Sequence, residues 1–180
     1  MKNRLILSTA LICLTLTSCI KEKLEVMYNQ QEEKINSYIE SALNKNPEYE
    51  VTNNGGSNRL TTLHGEGEGL EADGSISFYY AGYVFNGRIS PDMMFSTNHQ
   101  ASADDAAWDL TDADYQILTI NLKEEELLPG LKNGLLGVKG GEECEIIFSG
   151  KYGFGNKPYG IIPANSALIY KIWVISISND

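Results

Sequence analysis

Residues able to carry acid–base, nucleophilic or metal chemistry are few in this chain and scattered along it. The two histidines, His64 and His99, have no second His or Cys near them at ligand spacing, which argues against a zinc site. The order of residues contains no Ser-His-Asp set, no Cys-His pair and no pair of catalytic carboxylates. Gly65-Glu-Gly-Glu-Gly69 has the look of a phosphate-cradling loop. Glu66 and Glu68 would repel an anion, however, and no basic residue or helix start follows. Asp104, Asp105, Asp109, Asp112 and Asp114 surround Trp108 at a spacing that matches no EF-hand, so this stretch reads as a solvated acidic flap. No metal or cofactor is therefore expected. What remains is apolar and aromatic chemistry, concentrated in residues 144–175. Cys144 to Phe148 and Ala167 to Ile177 have the Ile, Val and aromatic content of strands. Tyr152, Gly153, Phe154, Gly155, Pro158, Gly160 and Pro163 lie between them and read as turns. Leu168, Tyr170, Ile172 and Val174 alternate onto one strand face. Two strands joined by an aromatic loop make the rim of an apolar pocket.

Other elements must position that rim. Ile76, Phe78 and Tyr80 share one face of a strand over 75–88, opposite Ser75, Ser77 and Tyr79, and Asn86-Gly87 reads as a hairpin turn. Gln116 to Leu122 is a further strand candidate. Pro129 suits the first position of a short helix that Gly134 and Gly137 keep short. Tyr152-Gly-Phe-Gly155, Gly160-Ile-Ile-Pro163 and Leu168-Ile-Tyr170 resemble the C-terminal half of the FKBP-type peptidyl-prolyl cis/trans isomerases. Upstream and in the same order, Tyr79-Tyr-Ala-Gly82 is similar to that family's first-strand signature. Leu127-Leu-Pro-Gly-Leu-Lys-Asn-Gly134 with Val138-Lys-Gly-Gly-Glu142 is similar to its short helix and following turn. The resemblance covers about residues 60–178, with Asn98 to Asp114 as an insertion of roughly a dozen residues beyond the family's usual length. It implies an α+β, FKBP-like fold, a twisted antiparallel sheet wrapped around a short α-helix, here with an N-terminal helical extension.

The resemblance also implies an activity and a site. Rotation about a peptide bond faces roughly 18–20 kcal/mol, and X-Pro bonds interconvert over tens of seconds or longer. Water favours the charge-separated resonance of the planar amide, so an apolar pocket weakens it and spares the twisted state. A hundredfold gain needs only about 2.7 kcal/mol of differential stabilisation. The absence of an acid–base set therefore suits this reaction. Carried over residue by residue, the pocket is Tyr80, Phe95, Phe154 and Tyr170 as catalytic walls, with Leu118, Leu127, Leu128, Leu131 and Ile162 binding substrate. The resemblance assigns the Leu128 N–H to the carbonyl preceding the proline, and Leu131 to the floor under its ring. Leu131 stands where the family usually has Trp, Phe154 where a Tyr is usual, Ser96 where an Asp is typical, and Tyr170 where Phe is common. These departures imply a wider, shallower pocket with reduced aromatic surface, weak or altered isomerase activity and poor binding of macrolide inhibitors. The implied partners are proline-containing polypeptides. The alternative is a non-catalytic FKBP-like module that binds unfolded chains or one envelope partner.

The remaining chain bears on location. Lys2 and Arg4 precede an apolar run from Leu5 to Leu16 that is too short to span a bilayer. Leu16-Thr-Ser-Cys19 resembles a bacterial lipobox, which implies a lipoprotein signal peptide at 1–18 and acylation of Cys19. The expected location is then the cell envelope of a Gram-negative bacterium, lipid-anchored to the membrane through Cys19. The formal charge is −10. Loss of 1–18 removes two cations and no acid and takes it to about −12, which disfavours nucleic acid and anionic lipid as partners. Cys144 is left alone and reads as a buried structural thiol. Residues 20–46 carry Leu24, Met27, Tyr28, Ile35, Tyr38, Ile39, Ala42 and Leu43 at helical spacing, ended by Asn46-Pro47. This divides the mature chain into an N-terminal helix and linker at 19–58, with Asn53 to Asn58 as a loop, and an FKBP-like domain at 59–180. Tyr79, Ile147, Ile169 and Trp173 form an outward apolar row that wants covering. The N-terminal helix is one cover; a homodimer through that helix or through the outer sheet face is the other.

Overall fold

Apolar side chains recur at every second position through residues 75–84 and 168–174, and these runs pair along their length inside a seven-stranded sheet. The computed structural model describes the backbone of residues 2–179 and side chains from residue 21 onward; the side chains of the expected signal peptide at 1–18 and of Cys19 lie outside the described residues. In chain order the elements are α1 (Lys2–Lys45), β1 (Glu50–Asn54), β2 (Ser57–Leu63), β3 (Ser75–Val84), β4 (Met94–Thr97), α2 (Gln100–Asp105), β5 (Leu118–Asn121), α3 (Pro129–Leu135), β6 (Glu143–Phe148) and β7 (Leu168–Ser178). All pairings are antiparallel. The strand order is β1-β2-β6-β7-β3-β4, and β5 pairs with the first half of β3 while β4 pairs with the second. This is the expected α+β architecture, a sheet closed over the short helix α3.

Three local expectations are corrected. Asn53 to Asn58 is not a linker: Gly55 and Gly56, with φ of +53° and +84°, turn β1 directly into β2. Positive φ at both central residues matches the twist of a two-residue hairpin, and glycine adopts it at no steric cost. β2 then pairs with β6, so this hairpin extends the main sheet. Asn86-Gly87 does not close a two-residue hairpin, because β3 ends at Val84 and β4 begins only at Met94. The acidic stretch is not wholly solvated either. It folds back as α2 with Ser102 and Ala103 buried, and Trp108 packs against the core.

The sheet is buried on both faces. Inward, Ile76, Phe78, Ile146, Phe148, Leu168, Tyr170 and Ile172 meet Leu131 and Leu135 of α3. The alternation of β7 breaks at a bulge opposite Ser77/Phe78, which leaves Ile175 outside and returns Ile177 to the inner cluster. Cys144 is buried in this core, as expected, and burial pushes its thiol well up. Outward, Ile35 and Ile39 of α1 cover Ile147 and Ile169. Tyr38 donates to Glu145 Oε2 at 2.7 Å and meets Phe85 edge-on. Burial raises the Glu145 carboxyl above its ordinary range, and the bond from Tyr38 and the charge of Lys171 act against that rise. Trp173 is covered by a different element: His99, just before α2, stacks on it at 3.8 Å. The outward row is therefore shared between α1 and the insertion within one chain.

A seven-residue helix such as α3 does not hold itself together in water. Gly130 and Gly134 lie against Phe148 and Ile146 so closely that a Cβ on either would sit 2.2 Å from those side chains. The far end is held by Arg59 of β2, whose Nη1 donates to the Gly134 and Leu136 carbonyls at 3.1 and 2.7 Å. Arg59 Nε forms an ion pair with Glu142 Oε1 at 3.3 Å, at an angle short of a hydrogen bond. Glu142 also accepts from Thr61 and from the Lys139 N–H. Arg59 and Glu142 are both buried, so removing one strands the other. Arg59→Leu is expected to lower the free energy of unfolding by about 3–5 kcal/mol, read from urea denaturation. A loss below about 1 kcal/mol would mean that the pair and the helix cap contribute no more than a surface contact.

Candidate active site

The inner ends of β3, β4, β5 and β7, the start of α3 and the β6–β7 loop enclose one cleft of about 600 Å³. Tyr80, Phe95, Leu118, Leu127, Leu131, Phe154, Ile162 and Tyr170 all line it. Leu128 does not: its side chain packs against the inner core. Its backbone caps the start of α3, where Pro129 follows and its carbonyl accepts from the Lys132 N–H at 2.9 Å. Among the described residues no acceptor is placed on the Leu128 N–H.

The walls are aromatic and set edge to face. Phe95 meets Tyr170 at 5.6 Å and 82° and Phe154 at 6.3 Å and 84°. Tyr80 and Tyr170 lie 6.4 Å apart. Such edge contacts bring the positive rim of one ring to the negative face of the next. Gly82 makes this closeness affordable: a Cβ there would lie 2.7 Å from Phe95 and 2.9 Å from Tyr170. The Tyr80 hydroxyl is paired with Ser96 Oγ at 2.8 Å, so this serine holds that wall. The Tyr80 N–H donates to Asn98 Oδ1 at 2.6 Å, and Asn98 Nδ2 reaches the Phe78 and Gln116 carbonyls. Asn98 thus ties β3 to both ends of the insertion. Burial, and next the neighbouring Tyr80, push the Tyr170 phenol well up, so it stays protonated.

The sequence reading did not single out Asn98, and it did not place Trp108, Tyr159 or Ile161 in the cleft. All three of the latter line it. Tyr159 stacks on Phe154 at 5.0 Å and 7°. The expected loss of aromatic surface at Leu131 is offset by Trp108 from the insertion and Tyr159 from the loop. No spacing rule joins either residue to the others, because each arrives from a loop whose path is set by tertiary contacts. Among the described residues no group of His, Cys, Asp or Glu is placed to hold a metal.

An apolar, aromatic cleft of this size has the shape and chemistry of a site for a short apolar segment. Residues 75–175 match the family model described as FKBP-type peptidyl-prolyl cis-trans isomerase. FK506-binding protein 1 of Aspergillus oryzae is 22% identical over 123 residues, covering 68% of this chain and 99% of that protein. The FKBP-type peptidyl-prolyl cis-trans isomerase FkpA of Buchnera aphidicola is 24% identical over 115 residues, 64% of this chain and 39% of that one. The crystal structure of FkpA from Escherichia coli superposes with a TM-score of 0.55 at 18% identity, over 95% of this chain and 70% of that one. The three FKBP domains of wheat FKBP73 give 0.58 at 20% identity, over 73% and 52%. The chain belongs to the FKBP-type peptidyl-prolyl cis-trans isomerase family.

Gly82→Ala tests the wall geometry. The added methyl must push Phe95 and Tyr170 apart, with an expected loss of about 1–3 kcal/mol in stability and weaker binding of a proline peptide. Unchanged stability and unchanged binding in a titration would show that the rings move aside freely.

Proposed function

We propose that this chain is a lipid-anchored peptidyl-prolyl isomerase that acts on X-Pro bonds as a folding helper in the envelope of a Gram-negative bacterium. The observation that carries the catalytic part is the joining of eight separately placed apolar residues into one cleft. In this reading the proline ring rests over Leu131, walled by Tyr80, Phe95 and Tyr170. The Leu128 N–H binds the carbonyl before the proline. The Tyr170 hydroxyl supplies a donor in place of the one missing at Phe154. Catalysis follows from removing water from the prolyl amide, which destabilises its planar, charge-separated form relative to the twisted one. No side chain needs to transfer a proton. The anchor rests on the leader and on Leu16-Thr-Ser-Cys19. Among the described residues no helix is long and apolar enough to cross a membrane. A homodimer through the outer sheet face is not part of this proposal, because α1 and His99 occupy that face. The exposed side of α1 is the surface left for a second copy.

A non-catalytic binding module is the second reading. The observation favouring it is the rim, where Tyr159, Ile161 and Leu118 are 66%, 59% and 38% exposed around a leucine floor. Such a rim suits extended apolar chains.

An isomerisation assay on several X-Pro peptides and one slow-refolding protein separates the two. The expected result is acceleration that Tyr80→Ala lowers by at least about tenfold, the equivalent of 1.4 kcal/mol in the barrier. Absence of acceleration from folded protein would leave binding alone. Wild-type chain expressed in a Gram-negative host is expected in the membrane fraction and Cys19→Ser in the soluble fraction. Equal partitioning of the two would remove the anchor from the proposal.

A further inference from the structure

The loop between β6 and β7 supplies Phe154, Tyr159, Ile161 and Ile162 to the cleft. Within it, Tyr159 and Ile162 exchange backbone bonds at 2.9 Å, and the Asn165 N–H donates to the Gly155 carbonyl at 2.7 Å. The loop's two ends, at Gly150 and Asn165, are bridged from outside by α1. The Gln31 side-chain amide spans them: Nε2 donates to the Asn165 carbonyl at 2.8 Å, and Oε1 accepts the Gly150 N–H at 2.8 Å. One helical turn earlier, the Tyr28 hydroxyl donates to Asn165 Oδ1 at 2.9 Å. Asn165 has φ of +57°, a left-handed conformation that Asn adopts more readily than other residues with a Cβ.

Gln31 is aimed by packing. Tyr28, Gln31, Ile35, Tyr38 and Ile39 recur at three- and four-residue spacing and so share one helix face. Ile35 and Ile39 are buried against the outer side of the sheet, so α1 cannot roll without losing that contact. A primary amide is the group this position requires, since it offers a donor and an acceptor side by side. A carboxylate has no donor for Asn165, and an ammonium has no acceptor for Gly150.

We propose that Gln31 is a positioning residue for the cleft: from the opposite side of the sheet, α1 clamps the ends of the rim loop and sets where Phe154, Tyr159 and Ile162 stand. The inference rests on the isomerase reading for its effect on turnover, but not for its effect on the loop. It makes α1 part of the binding machinery rather than a spacer between anchor and domain.

The test compares Gln31→Ala with Tyr38→Phe in the full chain. Tyr38→Phe also removes an α1 hydrogen bond to the sheet but leaves the loop clamp intact. Hydrogen exchange read by mass spectrometry is expected to be about tenfold faster across 150–165 in Gln31→Ala, with β6 and β7 unchanged. In the isomerisation assay kcat/KM is expected to fall about fivefold, with the loss in KM rather than kcat. Tyr38→Phe should match the wild type in both. Unchanged loop exchange in Gln31→Ala, or exchange that rises evenly through the domain, overturns the proposal. If the wild type proves inactive as an isomerase, that reading fails by itself, and loop exchange alone still decides the role of Gln31.

Discussion

The geometry of the cleft depends on how closely α3 approaches β6. Gly130 and Gly134 stand one turn apart and place helix backbone against Phe148 and Ile146 with no room for a side chain. That contact fixes the height of Leu131, which lines the cleft, above the sheet. So short a helix gains little from its own hydrogen bonds. It is held by burial of Leu131 and Leu135 and by Arg59, which reaches from β2 to its last carbonyls. The hairpin formed by β1 and β2 thus has a task beyond widening the sheet: it delivers the buried cation that ends the helix.

Given that placement, the cleft is walled mainly by apolar groups. Its aromatic walls are positioned by one another and by hydrogen bonds, such as Tyr80 to Ser96 on the cleft wall and Asn98 to the β3 backbone. At Ser96, where the resemblance implies an acid, a hydroxyl is sufficient to hold the Tyr80 phenol. With Leu131 where the resemblance implies a large aromatic floor, the aromatic surface of the cleft comes from elsewhere. Trp108 and Tyr159 bring it in from the insertion and from the β6–β7 loop.

The other face of the sheet is built with equal care. α1 lays Ile35 and Ile39 on Ile147 and Ile169, and His99 stacks on Trp173. Covering both faces with one chain removes an exposed apolar patch. It also brings the N-terminal segment into contact with the loop that forms the cleft's rim.

Much was legible in the sequence because the rules that govern it are local. Period-two alternation places Ile76, Phe78 and Tyr80 on one face, and Leu168, Tyr170 and Ile172 on one face, whatever the sheet's partners are. Helical spacing marks Ile35, Tyr38 and Ile39 as a stripe that needs a cover. Motifs in register carried the pocket residues from Tyr80 to Tyr170. Other features were decided by tertiary structure alone. Polar residues such as Gln31, Arg59 and Asn98 look like solvated surface in a sequence, and only the fold shows their hydrogen bonds turned inward to backbone groups left unpaired by loops and helix ends. Trp108 and Tyr159 sit in loops without periodicity, so their entry into the cleft depends on where distant elements anchor those loops. Periodicity assigns a residue to a face; what meets that face is settled by the long-range packing of the whole chain.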